Sequence, residues 1–148
     1  MTPEQGSLVR STWAAIEPHV DDVIVRFYAY VFRCEPGVRQ MFAPVDMGAQ
    51  RRKVLDMIGA LVRAVDDPVG IVTATIPAAR RHAAYHVSER HVSAGRDALL
   101  HALECTLGER FTPQARQAWR ELYSLVAAVM KRAASRHAPG GISCRCRT

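Results

Sequence analysis

Apolar residues recur along the chain at the three- and four-residue intervals of helices, and no stretch alternates with the two-residue period of a strand. The amino-terminal end carries a helix start, because Thr2 is a capping residue, Pro3 follows it, and Gln5 lies three residues past the cap. A helix from this point collects its apolar positions on one face before Pro18 interrupts it, namely Leu8, Trp13 and Ile16.

The same reasoning predicts helices through most of the remaining chain. The predicted segments are a second helix to about Cys34, a short one from Pro36 to near Phe42, a long one from about Met47 to Val65, one running to about His86, one capped by Ser88, and a last one that starts at Thr112-Pro113. The core face of the helix capped by Ser88 is predicted to carry His91 together with Gly95 and Leu99. Six or seven helices with short connections predict an all-α domain over residues 1–136. Residues 137–148 are predicted to be a disordered tail.

The composition is that of a globular protein with one domain. Of the 148 residues, 49% are hydrophobic and 23% are charged. No window approaches the roughly 20 apolar residues of a membrane span, and the amino terminus lacks the basic and apolar regions of a secretory signal. We therefore expect a cytoplasmic protein without a membrane span. The net charge of +6 comes from short basic runs, which we interpret as solvated helix surface, and we expect no nucleic-acid partner.

The four cysteines fall into two pairs. Cys34 and Cys105 lie inside helical patterns, and we expect both to be small core residues. Cys144 and Cys146 form a C-x-C in the tail, without the spacing of a zinc site. In a reducing compartment all four are expected to be free thiols.

Two polar residues lie on predicted core faces and carry the candidate chemistry. Gln50 lies four residues before Val54 and shares its face, and a buried amide without a partner costs about 1–3 kcal/mol. His82 follows Ala78 and Ala79, which leave room for a flat group to approach the helix. Taken singly, each also fits an ordinary core residue whose polar atoms are bonded to the backbone.

In their wider setting these residues resemble a known family. The matching positions are Phe27-Tyr28, Pro36, Phe42, Gly48-x-Gln50-Arg51, Ile58, Arg81-His82, Gly95, Leu99, Trp119 and Tyr123. This ordered set is similar to the globin domain of bacterial flavohaemoglobins and to their single-domain relatives, over residues 1 to about 136. The resemblance implies the globin fold, a three-on-three helical sandwich, with haem b as the cofactor.

The resemblance also implies a role for each site residue. It makes His82 the proximal iron ligand, with Arg81 paired to a haem propionate and Phe42 against the porphyrin face. On the opposite, distal side it places Tyr28 and Gln50 as hydrogen-bond donors to dioxygen, with Val54 as a wall of the pocket. The alternative for Tyr28 is a core tyrosine with its hydroxyl at the rim.

The chain departs from the family pattern on the proximal side. The family's Tyr–Glu pair, which supports the proximal imidazole, corresponds here to His91 and Ala134. Neither residue supplies a negative charge, so we expect His82 to bond a backbone carbonyl or water instead. This departure favours gas binding over fast peroxide chemistry.

Two alternatives remain open at this point. His82 and His86 lie one helical turn apart, a spacing that can hold zinc, although His91 is the only evident third ligand. The function is either reversible binding of dioxygen, nitric oxide or carbon monoxide, or nitric oxide dioxygenation. The second function would need a separate reductase as a partner.

Overall fold

The computed structural model describes residues 1–136, which contain seven α-helices, two short 3-10 helices and no strand. The α-helices are α1 Pro3–Ile16, α2 Val20–Cys34, α3 Pro36–Met41, α4 Met47–Arg63, α5 Pro68–Ala84, α6 Glu89–Leu107 and α7 Pro113–Arg136, and the 3-10 helices are Glu17–His19 and Gly108–Arg110. The all-α prediction is confirmed. Within these residues no helix is both long enough and apolar enough to cross a bilayer. The predicted tail, 137–148, lies outside the described residues.

Three helices begin at the predicted caps. The Thr2 hydroxyl accepts the Gln5 amide at 3.2 Å, and the Gln5 side chain accepts the Thr2 amide at 2.8 Å, which closes the capping box of α1. Ser88 caps α6, and the Thr112 hydroxyl accepts the Ala115 amide at the start of α7. Local side-chain chemistry therefore sets where these helices start.

The main core lies where α1, α4, α6 and α7 meet. Trp119 is 1% exposed, and its indole N–H donates to the Thr12 hydroxyl at 2.7 Å. This bond pairs two buried polar groups and ties α1 to α7. A smaller apolar cluster of Val31, Val38 and Ala98 joins α2 and α3 to α6.

A close approach between α6 and α7 depends on Gly95. The Tyr123 hydroxyl donates to the Val92 carbonyl oxygen at 2.8 Å, and burial raises the pKa of Tyr123, which keeps this donor protonated. A Cβ at position 95 would lie 2.7 Å from the same hydroxyl oxygen. Glycine is therefore the residue that lets the tyrosine hold the start of α6 in place.

The expectation that Cys34 and Cys105 are core residues is wrong, because both are exposed free thiols. Cys34 is the last residue of α2, beyond its apolar stripe. Cys105 shares a surface face of α6 with His101, whose Nε2 lies 3.5 Å from the sulfur. The buried face of α6 instead carries Ala98, Leu99, Ala102 and Leu103.

Candidate functional site

Tyr28 lies in an aromatic cluster formed by α2 and the end of α3. Its side chain is buried, with 5% of the residue exposed. The ring centroids of Phe27, Phe32 and Phe42 lie 5.1, 5.7 and 5.7 Å from that of Tyr28. These separations are typical of favourable edge-to-face and tilted contacts between aromatic rings. The tyrosine is therefore held in one orientation by packing on several sides.

The Tyr28 hydroxyl faces polar groups from α4 and α5. Burial raises the pKa of Tyr28, while a hydrogen bond with the Gln50 side chain and the positive charges of Arg51 and Arg81 act in the opposite direction. Because the net effect is upward, the hydroxyl stays protonated at neutral pH and can donate a hydrogen bond. The structure thus brings Tyr28, Phe42 and Gln50 together, with Arg81 within electrostatic reach. Val54 is partly buried against the main core.

Sequence reasoning gave Arg51 no role, although it lies beside Gln50. Its Nε atom is buried and has no hydrogen-bond partner among the described residues. The signal was present in the spacing, because position 51 lies three residues before Val54 and seven before Ile58 on the inward face of α4. An arginine at such a position belongs with the site residues.

His82 occupies the last turns of α5, above two small buried residues, Ala78 and Ala79. Its Nδ1 lies 2.7 Å from the Ala78 carbonyl oxygen one turn earlier. A carbonyl only accepts, so this contact places the proton on Nδ1 and leaves the lone pair of a neutral imidazole on Nε2. The partner is a backbone carbonyl, as the departure from the family's Tyr–Glu pair predicted.

A cavity of about 690 Å³ opens beside His82, between α5, the start of α6 and α7. Most of its wall is apolar or small, including Val87, Val92, Ala127 and Ala134. At its edge Lys131 donates to Glu89 at 2.8 Å, and this contact lowers the pKa of Glu89 and raises that of Lys131. Neither Tyr28 nor Gln50 lines the cavity, so it is separate from the aromatic cluster.

The placement of His91 on the core face of α6, beside His82, is wrong. The His91 ring accepts the Ser88 amide at 3.3 Å and the Ser88 hydroxyl accepts the His91 amide at 3.3 Å, so the ring completes the capping box of α6. Val92 takes the place on the cavity wall instead. The imidazole of His91 is therefore bound in the cap and does not line the cavity beside His82.

The zinc alternative finds no third ligand in this arrangement. His86 lines the same cavity as His82 and adopts a positive φ of 53° just after the end of α5. Within residues 1–136, no three side chains of histidine, cysteine, aspartate or glutamate lie close enough to hold a metal ion together.

Curated relatives match the chain along most of its length. It is 28% identical over 132 residues to a flavohemoprotein of Deinococcus radiodurans, a match that covers 88% of this chain and 33% of that protein. The chain thus spans about a third of the length of that relative. It is also 26% identical over 143 residues to the neuroglobin of Dissostichus mawsoni, covering 88% of this chain and 90% of the neuroglobin.

A solved structure with the same fold is an engineered carbene transferase made from RmaNOD, a candidate nitric oxide dioxygenase of Rhodothermus marinus. The two superpose with a TM-score of 0.82 at 23% identity, over 92% of this chain and 94% of that one. The sequence model of the Globin family matches residues 25–130. With the helices and this match together, the chain belongs to the globin family.

Proposed function

We propose that this chain binds haem b through His82 and reversibly binds dioxygen or another diatomic gas on the side of Tyr28. Proteins of the globin family bind haem. The observation that carries the proposal is the contact between His82 Nδ1 and the Ala78 carbonyl oxygen, at 2.7 Å. A histidine held in this tautomer presents Nε2 as a ready ligand for iron.

The chemistry of the surrounding residues fits the group. Haem needs a neutral imidazole, apolar contact for its ring and cations for its carboxylates. His82 supplies the imidazole, and Phe42 supplies apolar contact for the ring. Arg81 supplies the cation, since it directly precedes His82 in sequence and is close enough to affect the pKa of Tyr28. The small side chains of Ala78 and Ala79 leave the α5 backbone open to a flat ligand.

On the gas side, the proposed donors are Tyr28 and Gln50. When bound, haem supplies an iron atom that takes up diatomic gases. The Tyr28 hydroxyl is protonated, oriented by aromatic rings and near the Gln50 side chain, so it can donate to a ligand without first reorganising. Val54 serves as an apolar wall that limits the access of water. This pairing of fixed donor and apolar wall favours retention of a polarised gas ligand.

A second candidate function is nitric oxide dioxygenation with a separate reductase. The observation that favours it is the match to a flavohemoprotein of which this chain spans 33%. Both functions require a stable dioxygen ligand, so hydrogen bonds from Tyr28 and Gln50 to that ligand would suit gas binding and dioxygenation alike. In this candidate, a partner protein supplies the electrons that renew the iron after each turnover.

The proposed extent of the globin domain is residues 1–136, and its proposed setting is the cytoplasm.

Absorption spectra of the purified protein test the proposal. The ferric, ferrous and carbon monoxide forms should show one haem b per chain and a shift on adding carbon monoxide. A protein that neither retains nor takes up haem would refute it. Steady-state consumption of nitric oxide, measured with a ferredoxin or flavin reductase, then separates the two functions. Turnover limited only by the reductase would favour the dioxygenase.

A further inference from the structure

Arg51 has a buried guanidinium nitrogen for which residues 1–136 provide no acceptor. The Nε atom lies below the surface, and no oxygen of residues 1–136 accepts its proton. Burying a polar N–H without a partner is unfavourable, more so on a charged group. Native proteins leave few such groups, and a water molecule or an ion from outside the chain is one partner that can satisfy them.

The nearby acidic side chains do not supply that acceptor. The ion pairs recorded within residues 1–136 involve Arg10, Arg90, Arg96, Arg116 and Lys131, and none involves Arg51. Gln50 on the same helix carries no charge, and it lies close enough to Tyr28 to affect the pKa of that residue. Arg51 therefore lies near Tyr28 with no ion pair recorded for it within residues 1–136.

We propose that Arg51 binds an anionic group, an oxyanion or a carboxylate, on the Tyr28 side of the site. This inference rests on the proposed function for its setting and adds a residue and a ligand class to it. Guanidinium is planar, permanently charged and suited to two parallel hydrogen bonds with a carboxylate or oxyanion. Tyr28 and Gln50 stand beside it as neutral donors, and Arg81 adds a second positive charge.

Two different anionic groups could accept this hydrogen bond from Arg51. One is a carboxylate of the haem itself, and the other is a small anion such as nitrite that enters beside the gas site. In both cases the ligand accepts from Nε and removes the unpaired donor. The neutral ligand carbon monoxide gains nothing from the guanidinium.

The test compares Arg51→Met with Arg52→Met, a matched change at the adjacent exposed position of the same helix. Both proteins are loaded with haem and titrated in the ferric state with nitrite and in the ferrous state with carbon monoxide. If a small anion is bound, Arg51→Met weakens nitrite binding about tenfold or more and leaves carbon monoxide binding unchanged. Arg52→Met leaves both unchanged.

Reconstitution with haem dimethyl ester, which lacks the carboxylates, identifies the other source. If Arg51 pairs with a haem carboxylate, Arg51→Met speeds haem loss about tenfold with ordinary haem and has no effect with the ester. Equal behaviour of Arg51→Met and Arg52→Met in the nitrite and haem-loss measurements would overturn the proposal.

A measurement on the apoprotein keeps this outcome separate from a failure to bind haem. Sodium nitrite and sodium acetate should raise the Tm of the parent apoprotein more than that of Arg51→Met, with sodium chloride at equal ionic strength as reference. The Tm of Arg51→Met in the reference salt should match or exceed the parent's, because the unpaired donor is gone. Should haem binding fail, equal salt effects on both apoproteins would overturn the assignment of Arg51.

Discussion

The Tyr28 side and the His82 side of the candidate site are built in opposite ways. Tyr28 is 5% exposed, is enclosed by three phenylalanine rings and lies near the Gln50 side chain. His82 is bonded to one backbone carbonyl and borders a cavity of about 690 Å³ walled mostly by small or apolar side chains. On the Tyr28 side, aromatic packing holds the polar group in place. On the His82 side, one hydrogen bond within α5 holds the imidazole.

This difference in construction matches the different tasks proposed for Tyr28 and His82. A donor that must meet a ligand at a fixed point benefits from packing that permits one rotamer. An imidazole that must only present one nitrogen is oriented well enough by a carbonyl one turn away. The His82 ring is hydrogen-bonded to that carbonyl, and Glu89, the carboxylate on the cavity wall, is bonded to Lys131 instead. We expect substitutions on the two sides to change different measurements.

The largest effect is expected at His82. Replacing His82 by alanine removes the proposed iron ligand, and we expect loss of haem during purification and no carbon monoxide spectrum after reconstitution. His86→Ala is the matched control, because it lines the same cavity from just beyond the end of α5 and should retain haem. If His82→Ala kept the parent spectrum and His86→Ala lost it, the ligand would be His86.

The second effect tests the packed side. Tyr28→Phe keeps the aromatic contacts and removes the donor, so dioxygen release should quicken about 10- to 100-fold, as expected for a hydrogen bond worth about 1.5–3 kcal/mol. Stopped-flow release rates measure this. Tyr30→Phe, whose ring packs on His101 instead, should leave the rate unchanged. Unchanged release in Tyr28→Phe would mean that the hydroxyl does not face the ligand.

A third substitution would make the open side resemble the family's usual arrangement. Ala134 lines the cavity with His82, and Ala134→Glu places a carboxylate there. We expect a higher iron–histidine stretching frequency and a peroxidase rate raised about 10-fold, the scale on which partners of metal ligands act. Ala134→Gln, of similar size without the charge, should change neither. A parent that already shows a high frequency would reveal another carboxylate near His82.

The smallest effect is expected at Gln50. Gln50→Leu removes the partner of Tyr28 and leaves the tyrosine in its aromatic enclosure. A neutral hydrogen bond contributes about 0.5–1.5 kcal/mol, so dioxygen release should quicken about 2- to 10-fold. An effect larger than that of Tyr28→Phe would make Gln50 the main donor.

Three helix starts were predictable from sequence because each has a local signal. Thr2, Ser88 and Thr112 act within three residues of themselves, so neither α1 nor α6 nor α7 needs tertiary information to be placed. Boundaries that depend on the rest of the molecule were less accurate. The helix of His82 ends at Ala84, two residues before the predicted end, where His86 takes a positive φ.

For the candidate site, the resemblance grouped residues that lie near one another in the structure, and the sequence was less informative about their neighbours. Tyr28 and Gln50, which the resemblance grouped, do meet in the structure. His91 was misplaced because its position fits both a cap and a core face, and the Ser88 hydroxyl decides between them. Cys105 was misplaced because helical position alone does not say which face a neighbouring helix covers.

The contact between Gly95 and Tyr123 fixes an order in which substitutions can accumulate as the protein diverges. Gly95→Ala alone would push a methyl group against the Tyr123 hydroxyl, 2.7 Å away, and release the Val92 carbonyl beside the cavity. After Tyr123→Phe, the nearest remaining ring atom is 3.8 Å from the new methyl group, an ordinary contact. Alanine would then gain up to about 1 kcal/mol of helix propensity over glycine. Related chains should therefore carry alanine at this position only together with a residue other than tyrosine at position 123.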